Sequence, residues 1–359
     1  MSSARVWVDI LTPKQVLFFA PLVELMENEG CEVLATSRVY REIEPMARMC
    51  RLDLTYVVER GGEDLAGQLA AATERQARII PLVREFRPGA AVSVASSVCA
   101  RVAFGLRVGH VAVNDSPHSE VAGRLSLPLS HHLLCPWIIP YDAWKRFGLT
   151  RRQITRYHAL DPAAWLKRPP LDGPVPRLNR GQKTITVRLE ESYAPYMIGS
   201  NRDLPSLVLG RLAKEFPDGN LVALCRYGDQ LDHVRQGFPQ FIVPEGVVDG
   251  RRLLMMTDVF VGMGGTMSAE AALVGVPTIS AFQGVLQTET YLKSMGLLTK
   301  TSDPREIARR ASEMATGRLK NTTERKAKRL LDSMEDPIPR VAEVVMKLAR
   351  LDRPGQLAS

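Results

Sequence analysis

The chain has 359 residues, enough for two domains at about 150 residues each. Hydrophobic residues make up 45% and charged residues 24%, which excludes wholesale disorder, a collagen-like fibre and a disulfide-built mini-protein. The 47 Lys and Arg exceed the 39 Asp and Glu, and the resulting net charge of +8 favours acidic ligands or an anionic membrane surface while equally fitting a soluble protein of basic balance.

Arg5–Leu11 reads as a strand, and Asp9 inside it breaks the first apolar run, so no signal peptide is expected. Gln15–Glu29 carries Val16, Phe19, Leu22, Val23 and Met26 at helical spacing and ends at Gly30, a C′ glycine. Strands follow at Glu32–Thr36 and Leu54–Val58, then a long helix at Leu65–Phe86, then strands at Ala90–Ala95, His110–Asn114 and His131–Cys135. Leu160–Gln182 holds Pro162, Pro169, Pro170, Gly173, Pro174, Pro176 and Gly181, a linker composition. A second series has strands at Thr184–Leu189, Leu221–Arg226, Phe241–Val243, Asp258–Gly262 and Pro277–Ala281. Its helices are Leu204–Glu215, Gly250–Met256 and Met267–Val274. Asp303–Arg350 reads as helical, with basic residues dominating Arg318–Arg329.

This alternation predicts an α/β chain of two Rossmann-like, doubly wound domains facing across a cleft. The expected division is residues 1–165, a linker at 166–182, a second domain at 183–335 and a C-terminal helix and tail at 336–359. Ligands of such folds lie at the carboxyl ends of the strands, and a cleft between two of them is the default site. Cys31, Cys50, Cys99, Cys135 and Cys225 are odd in number and lack CxxC spacing, so a reducing cytoplasm, no disulfide framework and no zinc site are expected. The uncharged run Ala271–Thr288 contains Gly275, Pro277, Gln283, Gly284 and Gln287 and reads as a turn-broken α/β segment, not a membrane span.

The most informative segment is Asp258–Ser280. An apolar strand runs into Gly262, Gly264 and Gly265, then Thr266 and Ser268, then a helix bearing Glu270. Glycines let the backbone approach an anion, first-turn amides and the hydroxyls of Thr266 and Ser268 can donate to phosphate oxygens, and the helix dipole adds to the attraction. Glu270, one turn further on, suits a sugar diol. The same turn also fits glycines that only permit close packing. It is not the dinucleotide fingerprint, because Met267 stands where the third glycine belongs. The chain has no Gly-Lys pair, GxSxG, HExxH or DxD, which argues against a P-loop, a serine hydrolase and a metal-dependent transferase.

The strand–GGT–x–S–x–E–A–A–L–x–G–x–P block resembles the nucleotide-binding half of the two-domain GT-B glycosyltransferases, chiefly the MurG-like transferases, and the UDP-N-acetylglucosamine 2-epimerases. The chain as a whole resembles an uncharacterised, mainly archaeal family related to these, through VDILTPKQVLFFAPL, VNDSPHSE at 113–120, CPWIIP at 135–140, IVPEGVVDGRRLL at 242–254 and GGTMSAEAALVGVP. The resemblance implies a GT-B fold and a C-terminal domain that binds a nucleotide diphosphate-sugar co-substrate, UDP foremost, with no further cofactor. Gly264, Gly265 and Thr266 would meet the diphosphate and Glu270 the ribose. Arg188 and Arg226, at strand ends, would neutralise phosphate. Gln283 and Gln287 would face the donor sugar, and Ile242–Glu245 would offer backbone groups to the base.

In the N-terminal domain, Thr12, Pro13 and Gln15 form the acceptor-side loop after the first strand. Related chains often carry a histidine where this one has Gln15, and glutamine takes no proton at neutral pH. The stretch Asn114–Glu120 supplies the other catalytic candidates, Asp115, His118 and Glu120: a histidine beside carboxylates can deprotonate an acceptor hydroxyl. The spacing also fits a helix cap, with Asp115 or Ser116 capping, Pro117 first and Glu120 completing a capping box. His118-x-Glu120 resembles the HxEAG segment of the 2-epimerases, whereas Thr186–Glu191 lacks the histidine those enzymes carry at the start of the second domain. His131, His132, His158 and His233 show no ligand spacing. Leu125–Trp144 is apolar and is followed by Lys145, Arg146, Arg151, Arg152 and Arg156, a pattern that fits either a peripheral contact at the inner membrane face or a buried strand with a solvated basic segment. Aromatics amount to 6% and do not interleave with the basic cluster, which argues against a single-stranded nucleic-acid surface. The expected function is metal-independent transfer of a glycosyl group from a UDP-sugar to a glycan or lipid-linked acceptor. Epimerisation or hydrolysis of the same nucleotide sugar, or non-catalytic anion or RNA binding, are the alternatives.

Overall fold

The computed structural model describes residues 3–59, 61, 64–189, 203–317 and 320–351. The chain divides into two compact units, Met1–Trp165 with Glu335–Ser359, and Leu166–Met334.

The first unit runs β1 (Arg5–Ile10), α1 (Pro13–Asn28), β2 (Glu32–Val39), α2 (Ile43–Met49), β3 (Thr55–Glu59), α3 (Leu65–Phe86), β4 (Ala90–Ser93), α4 (Ser97–Gly105), β5 (Gly109–Val113), α5 (Glu120–Ser126), β6 (His132–Pro136) and β7 (Ile154–Tyr157), with the short α6 (Ala163–Leu166) at the boundary. Its seven strands are all parallel, in the order β3-β2-β1-β4-β5-β6-β7. Every residue of β4 and β5 is buried, as expected of parallel strands covered on both faces. The C′ glycine expected at Gly30 is present with φ +81°.

The second unit continues with β8 (Thr184–Arg188), α7 (Leu204–Glu215), β9 (Asn220–Leu224), α8 (Gly228–Gly237), β10 (Phe241–Ile242), α9 (Gly250–Met255), β11 (Val259–Gly262), α10 (Met267–Leu273), β12 (Thr278–Ser280), α11 (Gln287–Ser294), β13 (Leu298–Lys300), α12 (Pro304–Ala315) and α13 (Lys320–Ser333). Its six parallel strands are ordered β10-β9-β8-β11-β12-β13. The core beneath α7 and α12 joins Ile185, Val187, Val208, Leu212, Val261 and Ile307. Glu190 and Glu191, part of the expected Thr186–Glu191 motif, lie outside the described residues.

The last helix, α14 (Pro337–Leu351), belongs to the first unit, where it packs on α1 and β4. Ile338, Val341, Ala342, Val345, Met346 and Ala349 form its buried stripe at helical spacing. Gly89 lets it approach, because a side chain there would collide with the carbonyl oxygen of Ala349.

Both sheets have a topological switch point. In the first, successive strands leave β1 toward β3, then resume at β4 on its other side. In the second the reversal falls between β8 and β11. Such a point opens a crevice at the strands' carboxyl ends.

Candidate functional site

In the second unit the crevice is lined by the ends of β8 and β11, with Gly262 in register with Arg188 on one side and Ser280 on the other. The glycine-rich turn expected to hold the diphosphate therefore emerges at the switch point itself. Gly262 has no room for a side chain, since a Cβ would strike the Ser268 hydroxyl. Gly264 and Gly265 take φ +111° and +82°, a conformation that only glycine adopts without strain. The Met263 N–H donates to the Arg188 carbonyl at 3.0 Å, after which the chain swings free. Among the described residues, no acceptor faces the N–H groups of Gly264, Gly265, Thr266, Met267 or Ser268. Thr266 begins α10 without capping it through its side chain, and the Ser268 hydroxyl is buried with no partner among the described residues. Five consecutive donors, two of them at a helix start, are what an anion requires.

Glu270 is buried on α10, one turn beyond Thr266. Arg188 is half-buried at the end of β8, and its guanidinium donates to the Leu224 carbonyl at 3.3 Å. Arg226 follows β9, half-buried, with its main-chain N–H held by Gln230. The loop after β12 lies against the glycine turn, because the ring of Phe282 packs on Gly264. That loop carries Gln283 at the surface and Gln287 at the start of α11, whose side-chain oxygen is buried without a donor among the described residues. Ile242–Glu245 leads out of β10, half-buried except for exposed Glu245.

In the first unit, Thr12, Pro13 and Gln15 build the start of α1. Thr12 caps it, Pro13 takes the first turn, and the buried Gln15 accepts the Leu11 N–H at 2.6 Å. Between them Lys14 reaches two carboxylates, Asp115 at 2.5 Å and Asp161 at 2.8 Å. Tyr157 donates to the far oxygen of Asp161 at 2.6 Å, and Ser116 donates to Asp115 at 2.7 Å. Burial pushes Asp161 up to about 6, helped by the charge of Asp115 and opposed by Lys14. Burial acts upward on Asp115 too, but the Lys14 ammonium and the Ser116 hydroxyl hold it below the ordinary carboxylate range. Burial alone would lower Lys14; the two carboxylates instead hold its ammonium above its ordinary value. Sequence reasoning missed this pairing: Lys14 stands in the VDILTPKQVLFFAPL segment but Asp161 lies 147 positions away, outside any motif.

This cluster decides the geometry of Asn114–Glu120. Asp115 turns toward Lys14, and Asn114 takes the Ser116 N–H at 2.7 Å, so the helix cap expected at Asp115 or Ser116 does not form. Helix α5 starts three residues later, at Glu120, after a Ser119 that makes no side-chain cap. His118 is exposed in the intervening loop. Partial desolvation lowers its pKa against the pull of Asp115, and Arg146 and Lys14 act in the same downward direction. Glu120 is exposed and accepts from Arg124 at 2.7 Å, which keeps it ionised. Of the three catalytic candidates, Asp115 is engaged in an ion pair with Lys14, Glu120 accepts from Arg124 of its own helix, and His118 carries a depressed pKa.

A buried polar network lies deeper in the same unit. Asp9 pairs with Arg75 at 2.5 Å and accepts from Thr36 and Ser96, the N-cap of α4. His110 bridges Ser93 and Ser130 at 2.9 Å each, and burial lowers its pKa to about 3. The histidines without ligand spacing are accounted for locally: His131 accepts the His110 N–H, His132 bonds Thr155, His158 stacks on Trp137, and His233 bonds Ser206. Much of the apolar stretch Leu125–Trp144 supplies core, although Leu125 at its start is exposed. Leu127, Leu133, Leu134, Ile139 and Trp144 are all buried, because β6 is an inner strand covered by the segment that follows it. Among the described residues, no helix is long and apolar enough to cross a membrane.

The fold is shared with solved structures over nearly the whole chain. It matches the Staphylococcus aureus MnaA–UDP co-structure with a TM-score of 0.76 at 14% identity, covering 97% of each chain. It matches the UDP-GlcNAc 2-epimerase of Neisseria meningitidis, solved bound to UDP-GlcNAc, with a TM-score of 0.72 at 12% identity over 97% of this chain and 100% of the other. The glycotransferase of kitacinnamycin gives 0.69 at 14% identity, again over 97% and 100%. At these identities the likeness establishes the fold, GT-B, and both enzyme classes use it. The uncharacterized protein MJ0665 of Methanocaldococcus jannaschii is 28% identical over 318 residues, which span 86% of this chain and 90% of that one. A family model matches residues 4–350, and on that match the chain belongs to the family described as "Protein of unknown function (DUF354)".

Proposed function

We propose that the chain binds a nucleoside diphosphate-sugar, with UDP as the nucleotide, and transfers its glycosyl group to an acceptor hydroxyl without a metal ion. The observation that carries this reading is the row of five acceptor-free N–H groups from Gly264 to Ser268 at the switch point of the second sheet. In this reading they donate to the diphosphate and stabilise it as it leaves, with Arg188 and Arg226 adding charge and Glu270 taking the ribose hydroxyls. In the reaction the acceptor oxygen attacks the anomeric carbon, the bond from that carbon to the diphosphate oxygen breaks, and the acceptor proton passes to the imidazole of His118. The test is titration calorimetry of the protein with UDP and UDP-sugars, followed by a search for transfer to glycan acceptors. Absence of UDP binding removes the reading.

A second reading, epimerisation or hydrolysis of the same nucleotide sugar, is favoured by one feature. Asp115 and Asp161 share Lys14 while their pKa values are driven apart, an arrangement that lets Asp161 keep its proton up to about pH 6 beside an ionised Asp115. Incubation with UDP-sugars alone separates the two. Epimerised sugar or acceptor-independent UDP release supports the second reading, and a requirement for an acceptor supports the first.

A further inference from the structure

We propose that Phe282, Lys300 and Glu289 form a positioning brace that holds the Gly264–Ser268 turn open for the diphosphate. The inference rests on the nucleotide reading above and assigns roles to three residues outside the glycine motif.

The brace starts from steric contact. A Cβ added to Gly264 would lie 3.0 Å from the Phe282 ring, and one added to Gly284 would lie 2.7 Å from the same ring. Phe282 is therefore slotted between two glycines and is buried. The ring supports the one turn residue whose φ of +111° no other side chain tolerates. Lys300, at the end of β13, lies 5.5 Å from the centre of that ring and donates to the carbonyl of Gly284. Glu289 on α11 holds the ammonium at 3.0 Å and accepts the Ser280 hydroxyl at 2.7 Å with its other oxygen. Ser280 is the register partner of both Gly262 and Lys300. The ties thus run from the rigid ends of β11, β12 and β13 through a buried carboxylate and a lysine to the ring behind the turn. Without such a wall, the donor row would have to be ordered by the ligand at the ligand's expense; with it, the row is ordered beforehand. The Lys300 charge is committed to Glu289, so its contribution is to geometry and not to direct phosphate contact.

The experiment compares UDP with uridine, which lacks the diphosphate, by calorimetry on the full chain. The variants are Phe282→Leu, Phe282→Ala, Lys300→Met and Lys300→Arg, each checked for folding by circular dichroism. In the wild type, UDP must bind more tightly than uridine; failure there overturns the nucleotide reading itself. Given that preference, the brace predicts that Phe282→Ala and Lys300→Met weaken UDP by about tenfold, the size of one lost charged hydrogen bond, with uridine almost unchanged. Lys300→Arg retains the preference, and Phe282→Leu, which keeps the core filled, falls between. Folded Ala and Met variants with an undiminished preference for UDP over uridine overturn the inference while leaving the nucleotide reading in place. Equal loss of both ligands also overturns it, as the mark of a merely structural role.

Discussion

Replacing Asp161 with Asn tests the charge cluster of the first unit. Asp161 has 1% of its side chain exposed and shares Lys14 with Asp115, so water screens little of the repulsion between the two carboxylates. Its pKa is raised in the native state, to about 6 from 3.8. Between those values the native chain keeps a proton that the unfolded chain has lost. The stability that depends on Asp161 therefore falls as pH rises through this window and stays reduced above it. The displacement corresponds to about 3 kcal/mol. In Asp161→Asn that titration is gone, while Lys14 keeps Asp115. The stability of the variant relative to wild type should thus rise by about 2 kcal/mol between pH 4 and pH 7. Denaturant unfolding followed by tryptophan fluorescence reads this directly, because Trp7, Trp137, Trp144 and Trp165 all belong to the first unit. Lys14→Met is the converse: it strands two buried carboxylates and should cost about 3–5 kcal/mol at pH 7, and less at pH 5. A variant-minus-wild-type difference for Asp161→Asn that stays constant from pH 4 to pH 7 would refute the reasoning.

Glu270→Ala should weaken UDP binding by about 1.5–3 kcal/mol, roughly 10- to 100-fold, in a variant checked for folding by circular dichroism; calorimetry checks it. Gly262→Ala should destabilise the second unit by about 1–3 kcal/mol through collision with the Ser268 hydroxyl. Adding Ser268→Ala should recover much of that loss in a double-mutant unfolding series. His118 has its pKa depressed from 6.5, so the acid limb of the rate profile should fall below that value, and His118→Ala should remove the limb together with most of the rate. Gly89→Ala should loosen α14, seen as faster amide exchange along Pro337–Leu351.

Much of the fold was legible because parallel strands and their covering helices write strong local patterns. The α3 and α7 boundaries match the periodicity at both ends, and the glycine turn was readable because only an unusual backbone demands Gly264-Gly265. The short elements were not. Strand β7, ITRY, has two polar positions in four, β13 has only Leu298 buried, and α2 and α5 have seven residues each, too few for a period to emerge. In the site, the residues that lie together along the chain were found, and those that meet only through topology were missed. Lys14 follows β1, whereas Asp161 comes after β7, so nothing local links them. Asp9 did leave a signal, a carboxylate inside an apolar strand, but its partner Arg75 lies 66 positions away on α3. The apolar stretch before Lys145 was ambiguous because a buried inner strand and a surface patch share one composition; only the sheet order separates them.

The most direct test of the account is a crystal structure of the chain with UDP. Diphosphate oxygens should lie within hydrogen-bond distance of the N–H groups of Gly264–Ser268, with a ribose hydroxyl on Glu270. Those N–H groups left bare, with the nucleotide bound elsewhere on the chain or absent from it, would rule out diphosphate binding at this turn.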